Sequence, residues 1–421
     1  MVESSALLKR RTCQRVPRVR IPPSPPAFSS MISESDARAK ILEAVRPLPA
    51  RKMSILRALD RFAADDYFAQ LPLPVFDNSA MDGYGVIASD CKVGKRLAVI
   101  GEQPAGVDRK LRVSNGEAIR IFTGAPMPQS ADAIVMQEDV TRDGDEIVVN
   151  VDVDVGEFIR KRGCDLGEGQ KILSKGERIS ATKLALLASQ GMAEVLVGGE
   201  VRAAIISTGD ELANLGEKLQ PGQIYDSNSP LLQSLLQQFG AVVASVQHCR
   251  DASDSLRKTI QSAAKNEILI VTGGVSVGEH DLVQATLREL GAKIDIWRVA
   301  IKPGKPFLFG TLGSCFVFGL PGNPVSAFVT FLQFVRPAIL KMMGAEDVDL
   351  PRIPAKLTVD QINESERALY LRGKFEDGNF APVGRQESHA LFGLSQSNAL
   401  LRVGAGESMK AGQTVAVQVF D

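Results

Sequence analysis

The chain has 421 residues, enough for roughly two to four domains that each bury a core. Its 49 basic residues balance its 49 acidic ones, so no charge footprint exists for nucleic acid or an anionic membrane. The five cysteines (Cys13, Cys91, Cys164, Cys249, Cys315) never fall in Cys-x-x-Cys spacing, and His248, His280 and His389 lie far apart, which argues against structural zinc and suits a reducing compartment.

Residues 1–30 are unlike the rest. Lys9, Arg10, Arg11, Arg15, Arg18 and Arg20 face a single acid, Glu3, and five prolines forbid a continuous helix. No apolar core of signal-peptide length is present, so a disordered leader is expected, and Met31 reads as a second start. Ser33 or Ser35 then caps a helix through Ala37, Ile41 and Val45. Residues 51–70 read as another helix, with Ile55, Leu56, Leu59 and Phe62 on one face. Leu-Pro-Leu-Pro at 71–74 forces extended chain. A Gly- and Pro-punctuated segment follows to about Gly156, with short strands expected at 96–100, 118–122, 133–136 and 146–151. Helical spacing returns at 180–190 behind a cap at Ser180, so the β-rich part reads as an insertion between helical segments.

From Val201 strands alternate with helices. Strands are expected at 203–207, 241–246, 268–271, 294–299 and 315–318, and helices at 229–239, 254–264 and 281–290, with Gly240 and Gly291 as stops. A long helix at 323–343 closes the series, with Asn323 as cap and Pro324 in its first turn. Residues 307–335 carry no charge, but Pro321, Gly322, Asn323 and Pro324 break them into pieces too short to span a bilayer, so two buried strands and a buried helix are expected instead. Such alternation implies a mostly parallel sheet with helices on both faces, whose ligands sit outside the carboxyl ends of the strands. Asp210, Gly273 and Gly322 all follow strands and should share one rim. Residues 350–421 are turn-rich, with strands expected at 357–359, 368–371, 400–403 and 414–419, the pattern of a small β-barrel or sandwich.

The stretch 268–283 organises the chemistry. A β-branched run ends in Thr272, Gly273 and Gly274, and two adjacent glycines bend the chain through positive φ and let successive N–H groups face an anion. Glu279, His280 and Asp281 put carboxylates just beyond, as a divalent cation beside phosphate requires. A tight turn with no ligand is the alternative. Ser-Thr-Gly-Asp-Glu-Leu at 207–212 offers Thr208 and Gly209 to an anion and Asp210 and Glu211 to a cation; a capped helix start is its alternative. Asp226 or Ser227 caps the next helix, and Arg250-Asp251 ends a strand. Lys302-Pro-Gly-Lys305 presents two positive charges on a stiffened loop. Pro321, Gly322, Asn323 and Ser326 surround a helix N-terminus suited to an oxyanion. In the N-terminal half, Asp77 lies in an acid- and amide-rich loop at 76–84, Thr123 in a Thr-Gly turn and Asp165 beside a basic run.

Asp-Asn-Ser-Ala-Met-Asp-Gly-Tyr, Thr-Gly-Ala-Pro, Ser-Thr-Gly-Asp-Glu-Leu, Gly-Gly-Val-Ser-Val-Gly-Glu-x-Asp, Lys-Pro-Gly-Lys-Pro and Leu-Pro-Gly-Asn-Pro-Val-Ser occur in one order. From about Met31 onward the chain thereby resembles the MoeA family, the molybdopterin molybdenumtransferases, also found as one domain of gephyrin. The resemblance implies a multidomain α/β protein: a helical and linker N-terminal part (31–71 and 157–200), an inserted β-rich domain (72–156), a central α/β molybdopterin-binding domain with a mostly parallel sheet (201–346) and a C-terminal β-barrel (347–421), behind the leader at 1–30. It implies a cytoplasmic homodimer that takes adenylylated molybdopterin and molybdate, inserts molybdenum at the dithiolene and releases AMP with Mg²⁺ assistance. The upstream adenylyltransferase and recipient molybdoenzymes are implied partners; nucleic acid and membrane are not expected.

By the same resemblance Thr208, Gly209, Gly273, Gly274, Ser276 and Gly278 line the pterin-phosphate site. Glu211 and Asp281 are catalytic or metal-holding acids, with Asp226 as a further metal ligand and Asp251 in support. Lys302, Lys305, Pro321, Gly322, Asn323 and Ser326 surround molybdate or phosphate oxygens. Asp77 and Thr123 reach in from the inserted domain, from a partner subunit, and Asp165 matches a functional acid of the linker. Arg372 and Ser388 match oxyanion ligands of the C-terminal domain. Departures are Gly85 after Tyr84 where the family has Ala, Arg402-Val-Gly404 in place of Leu-Pro, and the leader. Two other functions compete: the upstream adenylyltransferase, which shares the α/β domain, and a partner-binding scaffold of the gephyrin kind. The flanking domains argue against the first, and the acids at Asp77, Glu211 and Asp281 against the second.

Overall fold

A six-stranded sheet forms the centre of the molecule, in the order Val242–Cys249, Arg202–Thr208, Ile268–Thr272, Cys315–Leu320, Pro306–Leu312, Lys293–Arg298. The computed structural model describes residues 31–250, 253–274 and 282–421. The first four strands are mutually parallel, and Pro306–Leu312 runs against both neighbours. Alternate side chains of each central strand enter opposite cores, as the two-residue strand period requires. Ala203, Ile205, Ile268 and Ile270 face one, while Ala204, Ile206, Leu269 and Val271 face the other. Burial on both faces is why these strands read as continuous apolar runs. The carboxyl ends of Arg202–Thr208, Ile268–Thr272 and Cys315–Leu320 therefore lie on one edge.

The closing helix fills almost the whole of the expected span 323–343. Pro324–Thr330, a π-helical turn at Phe331–Val335 and Arg336–Met342 form 19 consecutive helical residues. The two buried strands expected before it, Pro306–Leu312 and Cys315–Leu320, do form, although the helix's 19 residues would by length alone cross a bilayer. It is a core helix all the same, with 94% of its most apolar window buried inside the protein.

The N-terminal helix Glu34–Ala44 starts where expected, with Ser33 Oγ accepting the Asp36 N–H at 3.0 Å. The helix expected at 51–70 does not form. Arg51–Ser54 is instead a strand, paired antiparallel with Glu194–Val197, followed by a 3₁₀ turn at Ile55–Arg57. Leu56 and Leu59 point outward, at 89% and 48% exposure, so the supposed apolar face was never a face. Ala181–Ser189 is helical as expected, with Ser180 Oγ accepting from the Lys183 N–H.

Between these segments lies a second six-stranded sheet, in the order Ala133–Met136, Gly83–Val86, Glu117–Ile121, Arg96–Gln103, Glu146–Val149, Val140–Asp143. The sequence located four of its strands. Gly83–Val86, expected to belong to a loop, is an inner strand with all four residues buried.

At the C-terminus Arg352–Leu357, Thr414–Val419, Ala399–Val403, Ala368–Glu376 and Asn379–Pro382 close into a five-stranded barrel. The strand expected at 357–359 lies earlier than predicted, and Asn379–Pro382 was not foreseen. A two-residue strand, Ile301–Lys302, leaves the α/β region and pairs in parallel with Ala368 and Leu369 of the barrel. That short ladder ties the lysine loop to the barrel. Of the cysteines in the described residues, Cys91, Cys249 and Cys315 are buried and Cys164 is exposed; all four are free. Burial pushes the Cys91 thiol up to about 11 and the Cys315 thiol to about 12, so neither is a ready nucleophile or metal ligand.

Candidate functional site

A cleft of about 1090 Å³ opens at the carboxyl edge of the central sheet, and the barrel forms its other wall. Thr208, Gly209, Glu211, Asp226, Gly273, Gly274, Lys302, Lys305, Pro321, Gly322, Asn323, Ser326 and Ser388 all line it. The double-glycine bend and the paired-lysine loop thus share one cavity. Ser276, Gly278, Asp251 and Asp281 lie outside the described residues.

The bend is imposed by backbone geometry. Gly273 and Gly274 have φ of +82° and +60°, a region that L side chains rarely adopt. A Cβ on Gly273 would stand 2.4 Å from the Thr208 carbonyl oxygen, and one on Gly274 2.6 Å from Thr208 Oγ1. Close packing of the two strand ends therefore demands glycine as firmly as the turn does. Asn228 stitches the edge together: its Nδ2 donates to Thr272 Oγ1 at 2.8 Å and to the Gly322 carbonyl at 2.8 Å. Thr272 Oγ1 in turn donates to the Pro321 carbonyl at 3.2 Å. Sequence reasoning treated Asn228 only as a neighbour of a helix cap. Its burial beside the rim marks it as the strut of the phosphate-type cradle. Beside it, the buried Ser207 Oγ, Thr208 Oγ1 and Asn228 Oδ1 have no hydrogen-bond partner among the described residues.

The acids divide by what holds them. Asp226 is a cap: its two oxygens accept from the Ser229 N–H at 3.0 Å and the Ser229 hydroxyl at 2.6 Å. Glu211 folds back over Gly209, its Oε2 2.5 Å from where a Cβ on that glycine would sit. Glu387 also lines the cavity. Among the described residues no group of three His, Cys, Asp or Glu side chains converges as a metal site.

The helix N-terminus expected to receive an oxyanion is partly engaged by the barrel. Pro324 has no N–H, and the Val325 N–H donates to the Ser388 carbonyl at 3.1 Å. Asn323 Nδ2 donates to Ser388 Oγ at 2.9 Å. Ser388 is thus a joint between helix and barrel at the cavity wall. Arg372 is not on that wall. It is 1% exposed, and its guanidinium donates to the Arg385 carbonyl behind the loop at 386–389. Burial lowers its pKa, an effect that nearby Glu387 opposes. Gln386 grips the Arg372 backbone in both directions, accepting its N–H at 3.1 Å and donating to its carbonyl at 3.0 Å.

Asp77, Thr123 and Asp165 line no part of this cavity. Asp77 accepts from the Arg162 N–H at 2.7 Å and from Lys161 Nζ at 3.0 Å, contacts that hold its carboxyl below the usual range. Thr123 donates through both its N–H and its hydroxyl to Asp82, whose pKa falls for the same reason. Asp165 is exposed, its N–H donated to the Leu73 carbonyl. Sequence reasoning missed Arg367, Gln386, Glu387, His389 and Leu391, which the barrel brings to the cavity. Only the fold could find them, because they stand in no recognisable motif.

Comparison with known proteins finds relatives along most of the chain. A model of the MoeA N-terminal region (domain I and II) matches residues 32–191. A model described as a probable molybdopterin binding domain matches residues 204–341, and one of the MoeA C-terminal region (domain IV) matches 354–420. The chain is 36% identical over 402 residues to the molybdopterin molybdenumtransferase of Haemophilus influenzae, covering 93% of this chain and 99% of that one. It is 34% identical to molybdopterin molybdenumtransferase 2 of Mycobacterium tuberculosis, over 87% of this chain and 93% of that one. The solved molybdopterin biosynthesis MoeA protein of Pyrococcus horikoshii OT3 aligns with a TM-score of 0.80 at 28% identity, over 93% of this chain and all of that one.

Proposed function

This chain belongs to the MoeA family of molybdopterin molybdenumtransferases, and from that premise we propose that it inserts molybdenum from molybdate into adenylylated molybdopterin, releasing AMP and forming molybdenum cofactor. The observation that carries this reading is the union, in one cavity, of the Gly273–Gly274 bend with Lys302 and Lys305. The bend brings the Gly274 backbone to the cavity as a seat for a phosphate, while the Gly273 N–H donates to the Leu320 carbonyl at 3.3 Å, and the lysines offer positive charge to molybdate, a tetrahedral dianion. Held side by side, the dithiolene sulfurs and the metal oxyanion meet as an effectively intramolecular pair. Glu211 lines the cavity beside Gly209, and in this reading its carboxylate would serve the pyrophosphate from which AMP departs.

The family resemblance implies magnesium, whose chemistry would be to offset charge as the phosphoanhydride breaks. The described acids do not by themselves make a site for it. Asp226 has both oxygens on Ser229, and no three of the described acids converge.

The reading extends to a cytoplasmic homodimer in which Asp77 and Thr123 of one subunit complete the cavity of the other, with Asp165 beside them. The exposed apolar side chains Leu56, Leu59, Phe68, Leu71 and Phe76 of the N-terminal region support such an interface. The upstream adenylyltransferase supplies the substrate, and molybdoenzymes consume the product. The test is anaerobic incubation with adenylylated molybdopterin, molybdate and Mg²⁺, with AMP measured by chromatography and cofactor by activation of a molybdenum-dependent apoenzyme. Both products should appear only when molybdate is present; AMP release indifferent to molybdate would sink the proposal.

A further inference from the structure

We infer that His248 is a positioning residue for Glu211, which it steadies through the carbonyl of Gly209. The inference rests on the function proposed above, since Glu211 has a task only in that reading. It adds a residue that stands outside the lining of the cavity.

His248 belongs to Val242–Cys249, the edge strand of the central sheet, and the parallel ladder places it opposite Ser207. The neighbouring strand ends one residue later, at Thr208, and the chain then turns at Gly209 with φ of +143°. There Nε2 of His248 meets the Gly209 carbonyl oxygen at 3.0 Å. A carbonyl only accepts, so Nε2 carries the hydrogen of that bond. The imidazole is exposed and fills no core, so packing does not account for its place.

Glu211 depends on this turn. It lies two residues past Gly209 and lines the cavity, and among the described residues its carboxylate forms no ion pair. Its Oε2 rests 2.5 Å from where a Cβ on Gly209 would sit, so the acid is laid directly on the glycine. Two N–H groups shape the turn: Leu212 donates to the Gly209 carbonyl at 3.3 Å, and Ile224 donates to the Glu211 carbonyl at 2.9 Å. Both belong to the small ladder of Leu212–Ala213 with Ile224–Tyr225, which forms its own two-stranded sheet apart from the central one. They move with the turn. His248 is the donor that ties the Gly209 carbonyl sideways to the central sheet. A misplacement of about 1 Å can cost a reacting group on the order of a hundredfold, so a lateral tie at this point bears on the chemistry.

The test compares the full-length protein with its His248→Ala and His248→Gln variants in two measurements. Hydrogen exchange, read by mass spectrometry on peptides within residues 209–225, needs no substrate. Exchange of the Leu212 and Ile224 amides should quicken roughly three- to tenfold in His248→Ala, the scale of one neutral hydrogen bond. It should return toward the wild type in His248→Gln, whose amide nitrogen stands about as far from the backbone. AMP release in His248→Ala should show kcat lowered by a similar factor. The KM for molybdate should stay within about twofold, because another ladder holds the paired lysines. In a Glu211→Gln background, adding His248→Ala should cost less than about twofold more, since the two changes act on one group. Unchanged exchange in His248→Ala overturns the inference. So does a kcat equal to that of an active wild type, a loss that His248→Gln does not rescue, or losses that multiply independently with Glu211→Gln. If exchange quickens and is rescued while the wild type releases no AMP, the anchor stands and the proposed reaction falls.

Discussion

In the N-terminal region Asp77 has Lys161 and Arg162 beside it and Asp82 has Thr123, whereas on the cavity wall neither Lys302 nor Lys305 forms an ion pair among the described residues. The first region satisfies its charges internally, through exposed contacts of a kind that stabilise by at most about 1 kcal/mol each. The second holds its charges by backbone: a positive-φ bend and a two-residue parallel ladder. Charge that the fold fixes without pairing is charge reserved for a ligand.

The largest effect should come from attacking the backbone that fixes the cavity. Gly273→Ala puts a Cβ at φ +82° and 2.4 Å from the Thr208 carbonyl, so it should cost about 2–4 kcal/mol and remove AMP release altogether. Gly322→Ala is its counterpart, because the nearest atom to its Cβ is Gly273 Cα at 3.7 Å, an ordinary contact. Its melting temperature should match the wild type, so any loss of turnover reports only on how closely the ligand approaches. Equal destabilisation by both would break the claim that the bend, and not the rim as a whole, demands glycine.

Next come the cavity charges. Lys302→Ala and Lys305→Ala should each raise the KM for molybdate roughly tenfold or more while leaving the melting temperature within a degree or two, since neither lysine is in an ion pair among the described residues. By contrast, Lys161→Ala removes a paired charge and should leave the molybdate KM of the assembled protein unchanged. A molybdate KM more sensitive to Lys161 than to Lys302 would invert the comparison.

Much of this contrast was legible in the sequence, and the remainder was hidden for physical reasons. The central strands show because β-branched runs buried on both faces need no partner to be recognised, and the Gly273–Gly274 bend shows because only glycine fits there. The strand Arg51–Ser54 did not show, since its partner Glu194–Val197 lies far along the chain and a local apolar spacing imitates a helix. Gly83–Val86 was hidden by two glycines that weaken any strand signal. The barrel's share of the cavity was invisible as well. Arg367 and His389 reach it only because Ile301–Lys302 pairs with the barrel and Ser388 docks on the helix start. Arg372, by contrast, stood in a recognisable position and proved to brace the loop from behind.

The paired region should announce itself through pH. The carboxyls of Asp77 and Asp82 are held below 3.8, chiefly by the Arg162 and Thr123 N–H groups respectively. A lowered folded-state pKa stabilises the fold above the unfolded value, and that stability is lost as pH falls through the folded one. The melting temperature should therefore hold steady down to about pH 4 and decline below it. Asp77→Asn should flatten part of that decline, whereas Lys302→Ala should leave it untouched. An acid profile unchanged in Asp77→Asn would remove Asp77 from the self-satisfied set.

The smallest expected change in stability is also the most discriminating, because Asp226 sits where the two regimes meet: a cavity-lining acid whose oxygens are already taken. Both accept from Ser229, one from its N–H and one from its hydroxyl, at the start of Asn228–Gln238. Asparagine caps a helix about as well as aspartate, and the Ser229 hydroxyl can rotate to accept from an amide, so Asp226→Asn should change stability by less than about 0.5 kcal/mol. If Asp226 serves only as a cap, AMP release should persist at the wild-type rate and with the wild-type Mg²⁺ dependence. Should turnover collapse while the melting temperature holds, the carboxylate's charge does chemical work that capping does not explain. Asp226 would then belong with the charges kept for a ligand, and the cation would have its second oxygen donor beside Glu211.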